Sequence, residues 1–236
     1  MKNYGLHNIR CILFDLDGTL YPSEKIYAIG IKNAWNCFKK FRFISSKNFK
    51  KAYKKAREEV KINLNRSTSA RNRVLYFKRM TENILGRSNA KLTLTLVQAY
   101  DRCWEKIDPA NAQWVFKKLK NRCQIGIVTN QVCLTQLQKI SKMDPESRWV
   151  DVIVTSEEVN AEKPKAKIFL EACRRLNLSP KECMVVGDDW QHDILGAFKL
   201  GFHPVFLGRA KKRVPKNIPV IRNIRAIVSL LNSIKK

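Results

Sequence analysis

Two aspartates separated by a single leucine, Asp15 and Asp17, close a short apolar run, Cys11-Ile12-Leu13-Phe14, and lead at once into Gly18 and Thr19. Carboxylates this close repel unless a proton or a cation stands between them. A hard divalent cation that takes oxygen ligands, such as Mg2+, suits such a pair. The bland alternative is an acidic turn, since loops favour Asp. The apolar run is too short for a buried helix and is bounded by a glycine, so it reads as a buried strand. Asp15 then stands at the C-terminal end of that strand, where open α/β sheets place their ligands. Gly18 lets the chain turn sharply enough for both carboxylates to approach one ligand.

Three further polar signals fall at the ends of apolar strands or in the loops beside them. Thr129 and Asn130 follow Ile125-Gly126-Ile127-Val128, Lys163 lies in Glu162-Lys163-Pro164, and Asp188, Asp189 and Asp193 follow Met184-Val185-Val186-Gly187. Taken singly, these are a helix cap, a solvated lysine, and a turn with a cap. Taken in order, they put a hydroxyl, an amine and more carboxylates on the same sheet edge as Asp15, provided the strands run parallel.

The elements that must position them divide at about residues 21 and 109. From Ala110 onward strands alternate with helices: Gln124–Val128, Val152–Val154, Cys183–Val186 and Pro204–Leu207 read as strands. Helices are expected between them, at 166–176 and from Ile194 to Leu200. The last helix carries Ile224, Ile227, Val228, Leu231 and Ile234 on one face. Such alternation implies a parallel sheet with helices on both faces. Residues 21–109 hold no convincing strand. Helices are expected there after Ser23, after Ser45 or Ser46, after Ser67 to Ser69, and after Thr93 or Thr95. Residues 1–20 and 110–236 are thus read as one α/β unit, and 21–109 as an inserted helical one.

The motif set Asp15-Leu16-Asp17-Gly18-Thr19, Thr129, Lys163, then Gly187-Asp188-Asp189 with Asp193, resembles the haloacid dehalogenase-like hydrolase superfamily over essentially the whole chain. The resemblance implies a Rossmann-like core with a helical cap, as in the phosphoglycolate phosphatase-like and nucleotidase-like branch. Asn72-Arg73-Val74-Leu75-Tyr76-Phe77-Lys78 looks like a cap segment of some of those phosphatases, with Arg71 standing where they have a histidine. The implied activity is Mg2+-dependent hydrolysis of a small phosphorylated metabolite. Asp15 would be the nucleophile, and Asp17 the acid for the leaving alcohol and then the base for water. Mg2+ would be held by Asp15, the Asp17 carbonyl and Asp188, while Thr129, Asn130 and Lys163 bind the phosphoryl group. Asp189 or Asp193 would orient metal waters or Lys163. An acid at Asp17 argues against a dehalogenase, since a halide leaves without a proton. A phosphotransferase or a phosphonatase of the same superfamily stays open.

The chain has 236 residues, enough for a substantial core, and carries seven scattered cysteines with no C-x-x-C pair. The cysteines argue against a zinc site or a disulfide framework and for a cytoplasmic setting. The polar start, Met1 to Arg10, has no signal-like apolar stretch, and no run is long enough to span a bilayer. The net charge of +26 is the unusual quantity, with 21 basic against 7 acidic residues between positions 21 and 108. It is densest from Lys39-Lys40 to Arg57, and after Asp193 no acidic residue follows, while Lys211-Lys212-Arg213 and Lys235-Lys236 add to the excess. Phe41, Phe43, Phe49 and Tyr53 interleave with the basic run. A nucleic-acid-binding protein on a hydrolase scaffold is the competing reading. Weak, salt-sensitive polyanion binding is the expectation drawn from composition.

Overall fold

Strand β1 (Cys11–Phe14) is buried at every position, as a central strand covered on both sides must be. A computed structural model describes residues 8–65, 67–209, 215 and 217–234. The basic clusters Lys211-Lys212-Arg213 and Lys235-Lys236 and the Ile234 side chain lie outside the described residues. The chain divides into two compact units, one running up to Pro22 and resuming at Asp108, the other spanning Ser23–Ile107.

In the first unit, β1 pairs in parallel with β2 (Gln124–Thr129) and β4 (Cys183–Gly187), β2 with β3 (Val152–Thr155), β4 with β5 (His203–Leu207), and β5 with β6 (Val220–Ile221). The sheet order is β3-β2-β1-β4-β5-β6. The register sets Phe14 opposite Ile127 and Val186, so the chain leaves all three central strands at one level. Alternate residues face opposite sides. Cys11, Leu13, Val128, Val154 and Val185 pack with Ile168, Phe169 and Ala172 of the helix Ala166–Leu176. On the other face Phe14 meets Phe116, their ring centroids 6.0 Å apart, from α5 (Ala110–Leu119). A helix at Cys133–Met143, here α6, follows β2.

Strand β6 escapes the pattern reading because two residues carry no periodicity. The helix expected over Ile194–Leu200 begins instead as a π-helical turn, Trp190–Leu195, followed by one α-turn, Gly196–Lys199. Such turns are rare and cluster at functional sites.

The second unit consists mainly of four helices, α1 (Ser23–Phe41), α2 (Ser46–Asn63), α3 (Arg73–Leu85) and α4 (Ala90–Asp101). Ser45 caps α2 through the Asn48 amide. Ser67 caps only a short 3-10 turn, and α3 starts later, where Asn72 accepts from the Val74 amide at 2.9 Å. Asn89, not Thr93 or Thr95, caps α4 by accepting from the Leu92 amide at 2.9 Å. Asn caps as well as Thr, and Thr93 is buried one turn on, against the Thr81 hydroxyl. An aromatic chain fills this unit: Tyr53 on Phe77, Phe77 on Tyr100, and Tyr100 on Trp104. Phe49 is fully buried, and Tyr53, one helical turn on, packs against Phe77. Of the aromatic residues interleaved with the basic run, only Phe41 and the 90%-exposed Phe43 face water.

Candidate active site

The turn after β1 is pinned before it bends, since the Asp15 amide donates to the Val186 carbonyl of β4 at 2.9 Å. Gly18 then adopts φ +95°, a left-handed conformation that side chains resist. A methyl group there would stand 2.2 Å from Asp188 Oδ2. Glycine is therefore required twice, by the turn and by the approach of the β4 carboxylate. Thr19, one residue on, turns its hydroxyl back between Asp15 Oδ2 at 3.1 Å and Asp188 Oδ1 at 3.2 Å.

Lys163 enters from the loop after β3 and is buried. Its ammonium donates to Asp15 Oδ1 at 2.6 Å and the Val128 carbonyl at 2.8 Å, and pairs with Asp193 Oδ1 at 2.7 Å. Burial works against this ammonium, but the two carboxylates outweigh it and hold its pKa above the ordinary lysine value. The Asn130 side chain clasps the same loop, accepting from the Lys163 amide at 2.7 Å and donating to its carbonyl at 3.0 Å. Asn130 was expected near the phosphoryl group, and its side chain is spent on holding Lys163.

The three aspartates after β4 part company. Asp188 comes to Thr19 and Asp15. Asp193, buried in the π-turn, reaches Lys163, and its other oxygen accepts from the Asp189 amide at 3.1 Å. Asp189, expected as a possible partner of metal waters or Lys163, instead directs its carboxylate to the Gln191 and His192 amides and the His192 ring. Only its backbone enters the cluster.

Asp17 is held by a different set of side chains from Asp15. Its Oδ1 accepts from Lys139 Nζ at 2.7 Å and from the Tyr21 hydroxyl, and its Oδ2 from Gln136 Nε2 at 2.9 Å. Gln136 also donates to Thr129 Oγ1. Gln136 and Lys139, both fully buried on α6, were not anticipated from the sequence.

Asp15, Asp188 and Asp193 each offer a carboxylate oxygen within 4.8 Å of the others. Burial raises the Asp15 carboxyl, to about 8, with Asp193 adding to the rise and Lys163 opposing it. Burial also raises Asp188, to about 6, with help from Asp193. In their ionised forms Asp15, Asp17, Asp188 and Asp193 outnumber the two buried ammonium groups, Lys139 and Lys163, by two charges, and one divalent cation would match that difference and favour the ionised forms. Asp193 is already bound to Lys163, so the free faces of Asp15 and Asp188 fit such an ion. One carboxylate of the turn thus belongs to a group that could hold a cation, and the second is held by other side chains.

Residues 9–201 match the haloacid dehalogenase-like hydrolase family, to which the chain belongs. It is 29% identical over 206 residues to a glyceraldehyde 3-phosphate phosphatase of Methanopyrus kandleri, covering 86% of this chain and 85% of that one. It is 31% identical over 198 residues to a ribulose-1,5-bisphosphate 5-phosphatase of Halopiger xanaduensis, covering 82% of each. Its fold superposes on the HAD-hydrolase YfnB of Bacillus subtilis, solved with bound magnesium, with a TM-score of 0.70 at 21% identity over 95% of this chain and 99% of that one. No helix among the described residues is long and apolar enough to cross a membrane.

Proposed function

We propose that this hydrolase is a Mg2+-dependent phosphatase acting on a small phosphate monoester, with Asp15 as nucleophile and Asp17 as proton donor and acceptor. One observation carries the reading. Two carboxylates from a single turn are held by different side chains, Asp15 by Lys163 and Thr19, Asp17 by Tyr21, Gln136 and Lys139. Separate environments suit separate roles.

Asp15 attacks phosphorus in line with the ester oxygen, and the P–O bond to the alcohol breaks as the aspartyl phosphate forms. Asp17 gives its proton to the departing oxygen, then takes one from the water that cleaves the acyl phosphate and restores Asp15. Lys163 offsets charge gathering on the phosphoryl oxygens. Thr129 accepts from Gln136, which leaves its own hydroxyl hydrogen to donate to the same oxygens. Asp15, Asp188 and the Asp17 carbonyl would hold a divalent cation, which would supply shielding between nucleophile and phosphate and polarisation of the phosphoryl group.

The relatives named for glyceraldehyde 3-phosphate and ribulose-1,5-bisphosphate make phosphorylated sugars the first substrates to try. Seven free thiols suit a cytoplasmic enzyme. The test is phosphate release from a panel of sugar phosphates and p-nitrophenyl phosphate with Mg2+, for the wild type and Asp15→Asn. Turnover in the first and none in the second is expected. Turnover that survives Asp15→Asn refutes the nucleophile.

A further inference from the structure

Lys139 is a fully buried lysine outside the motifs of the site, and a buried ammonium persists only when well partnered. Its Nζ donates to Asp17 Oδ1 and to Gln136 Oε1, each at 2.7 Å, and lies 5.8 Å from the centre of the Tyr21 ring. An ammonium has no lone pair, so the Gln136 amide must turn its oxygen toward Lys139 and its nitrogen away. That nitrogen has two hydrogens and two acceptors in reach, Asp17 Oδ2 at 2.9 Å and Thr129 Oγ1. The amide is thus held in one orientation, and both oxygens of Asp17 are tied to one face of α6. A carboxylate at a strand-end turn otherwise rotates about its last bond.

We propose that Gln136 and Lys139 are positioning residues that fix the plane of the Asp17 carboxylate for proton exchange with the leaving-group oxygen. The inference rests on the reading of Asp17 as the proton donor. A lysine that only balanced buried charge would support folding and leave the proton transfer unselected.

The experiment compares two esters in Lys139→Met, which keeps the unbranched apolar stem and removes the charged end. The kcat/KM value counts only steps up to phosphoryl transfer to Asp15. For p-nitrophenyl phosphate the leaving group needs no proton, and for an alkyl phosphate it does. A positioned acid is worth about 10²–10⁴-fold. Lys139→Met is therefore expected to lower kcat/KM for the alkyl ester by about 30-fold or more, and for the nitrophenyl ester by less than about 3-fold. In an Asp17→Asn background the same substitution should add less than about 3-fold for either ester. Equal losses on both esters, or a full further loss beside Asp17→Asn, overturn the proposal. If Asp17→Asn itself fails to separate the esters, the reading of Asp17 falls and this inference with it. If Asp17→Asn separates them and Lys139→Met does not, only this inference falls. Should Lys139→Met not fold, Gln136→Met carries the comparison. Its effect through Thr129 is common to both esters and cancels in their ratio, which is expected to shift about 10-fold, and an unshifted ratio overturns the proposal.

Discussion

Replacing Gly18 by alanine separates two costs that the structure assigns to one residue. The first is conformational. Gly18 sits at φ +95°, and holding an L-residue in left-handed backbone costs about 1–2 kcal/mol. The second is a collision. The new methyl carbon would stand 2.2 Å from Asp188 Oδ2, whereas carbon and oxygen settle at about 3.3–3.6 Å. The carboxylate must therefore retreat by about 1.1–1.4 Å. The structure shows the Asp188 carboxylate held by a 3.2 Å hydrogen bond from Thr19 at a solvent-facing position, so it can yield by rotation, and the fold survives while the geometry does not. Misplacement of a reacting constellation by about 1 Å costs on the order of 10²-fold. Gly201 supplies the control, with φ +82° and nothing within 4 Å of an added methyl. Gly201→Ala should lower Tm by about 2–8 °C, from the same 1–2 kcal/mol at about 2–4 °C each, and leave turnover within about 2-fold. Gly18→Ala should show a comparable fall in Tm, a fall of about 100-fold in kcat/KM, and a higher Mg2+ concentration at half-saturation. The assays are a thermal melt, and phosphate release across a Mg2+ titration. Gly18→Ala turning over at the wild-type rate with unchanged Mg2+ dependence refutes the placement of Asp188 as a ligand.

Lys163→Met should cost turnover about 10²–10³-fold or more by removing charge opposite the phosphoryl oxygens, and about 3–5 kcal/mol of stability by leaving Asp15 facing Asp193. Lys163→Arg should not restore the rate, because three acceptors converge on one compact ammonium; a near-wild-type arginine variant contradicts this. Chelation should abolish turnover and Mg2+ should restore it, with Ca2+ a poor substitute because its looser, larger shell displaces the phosphate; full activity in metal-free buffer refutes the cation site. On α2, Lys47, Lys50, Lys51, Lys54, Lys55 and Arg57 are exposed while Phe49, Ala56 and Val60 are buried. Fluorescence titration should find weak duplex and single-stranded polynucleotide binding that falls steeply with salt and is unchanged by Asp15→Asn; sequence-selective binding that survives high salt refutes this.

The sheet-edge motifs were legible because buried parallel strands read as continuous apolar runs, and the polar residue that ends each run marks the ligand edge. Phe14-Asp15, Val128-Thr129 and Val186-Gly187-Asp188 all follow that rule, and the register brings them to one level. The choice between Asp189 and Asp193 was not legible. It depends on a π-turn that carries Asp193 inward while Asp189 caps the turn from outside, and no period in the residue types announces that turn.

Helix α6 was the hardest part to read, for a physical reason. Helical faces are inferred from apolar spacing, and Leu134 and Leu137, three apart, would be put inside. Both are exposed, while Gln136 and Lys139 are fully buried beside Ile140 and Met143. A usable signal was present, because Gln136, Lys139, Ile140 and Met143 fall at i, i+3, i+4 and i+7, a complete helical face with two polar members. A polar residue on such a face is costly unless something fixed waits opposite it. Here that something is Asp17, itself placed by the β1 turn. The sequence alone lists an acid on the turn and a lysine more than a hundred positions later. Only the parallel pairing of β1 with β2, which sets Phe14 beside Ile127 and starts α6 just beyond, makes them neighbours.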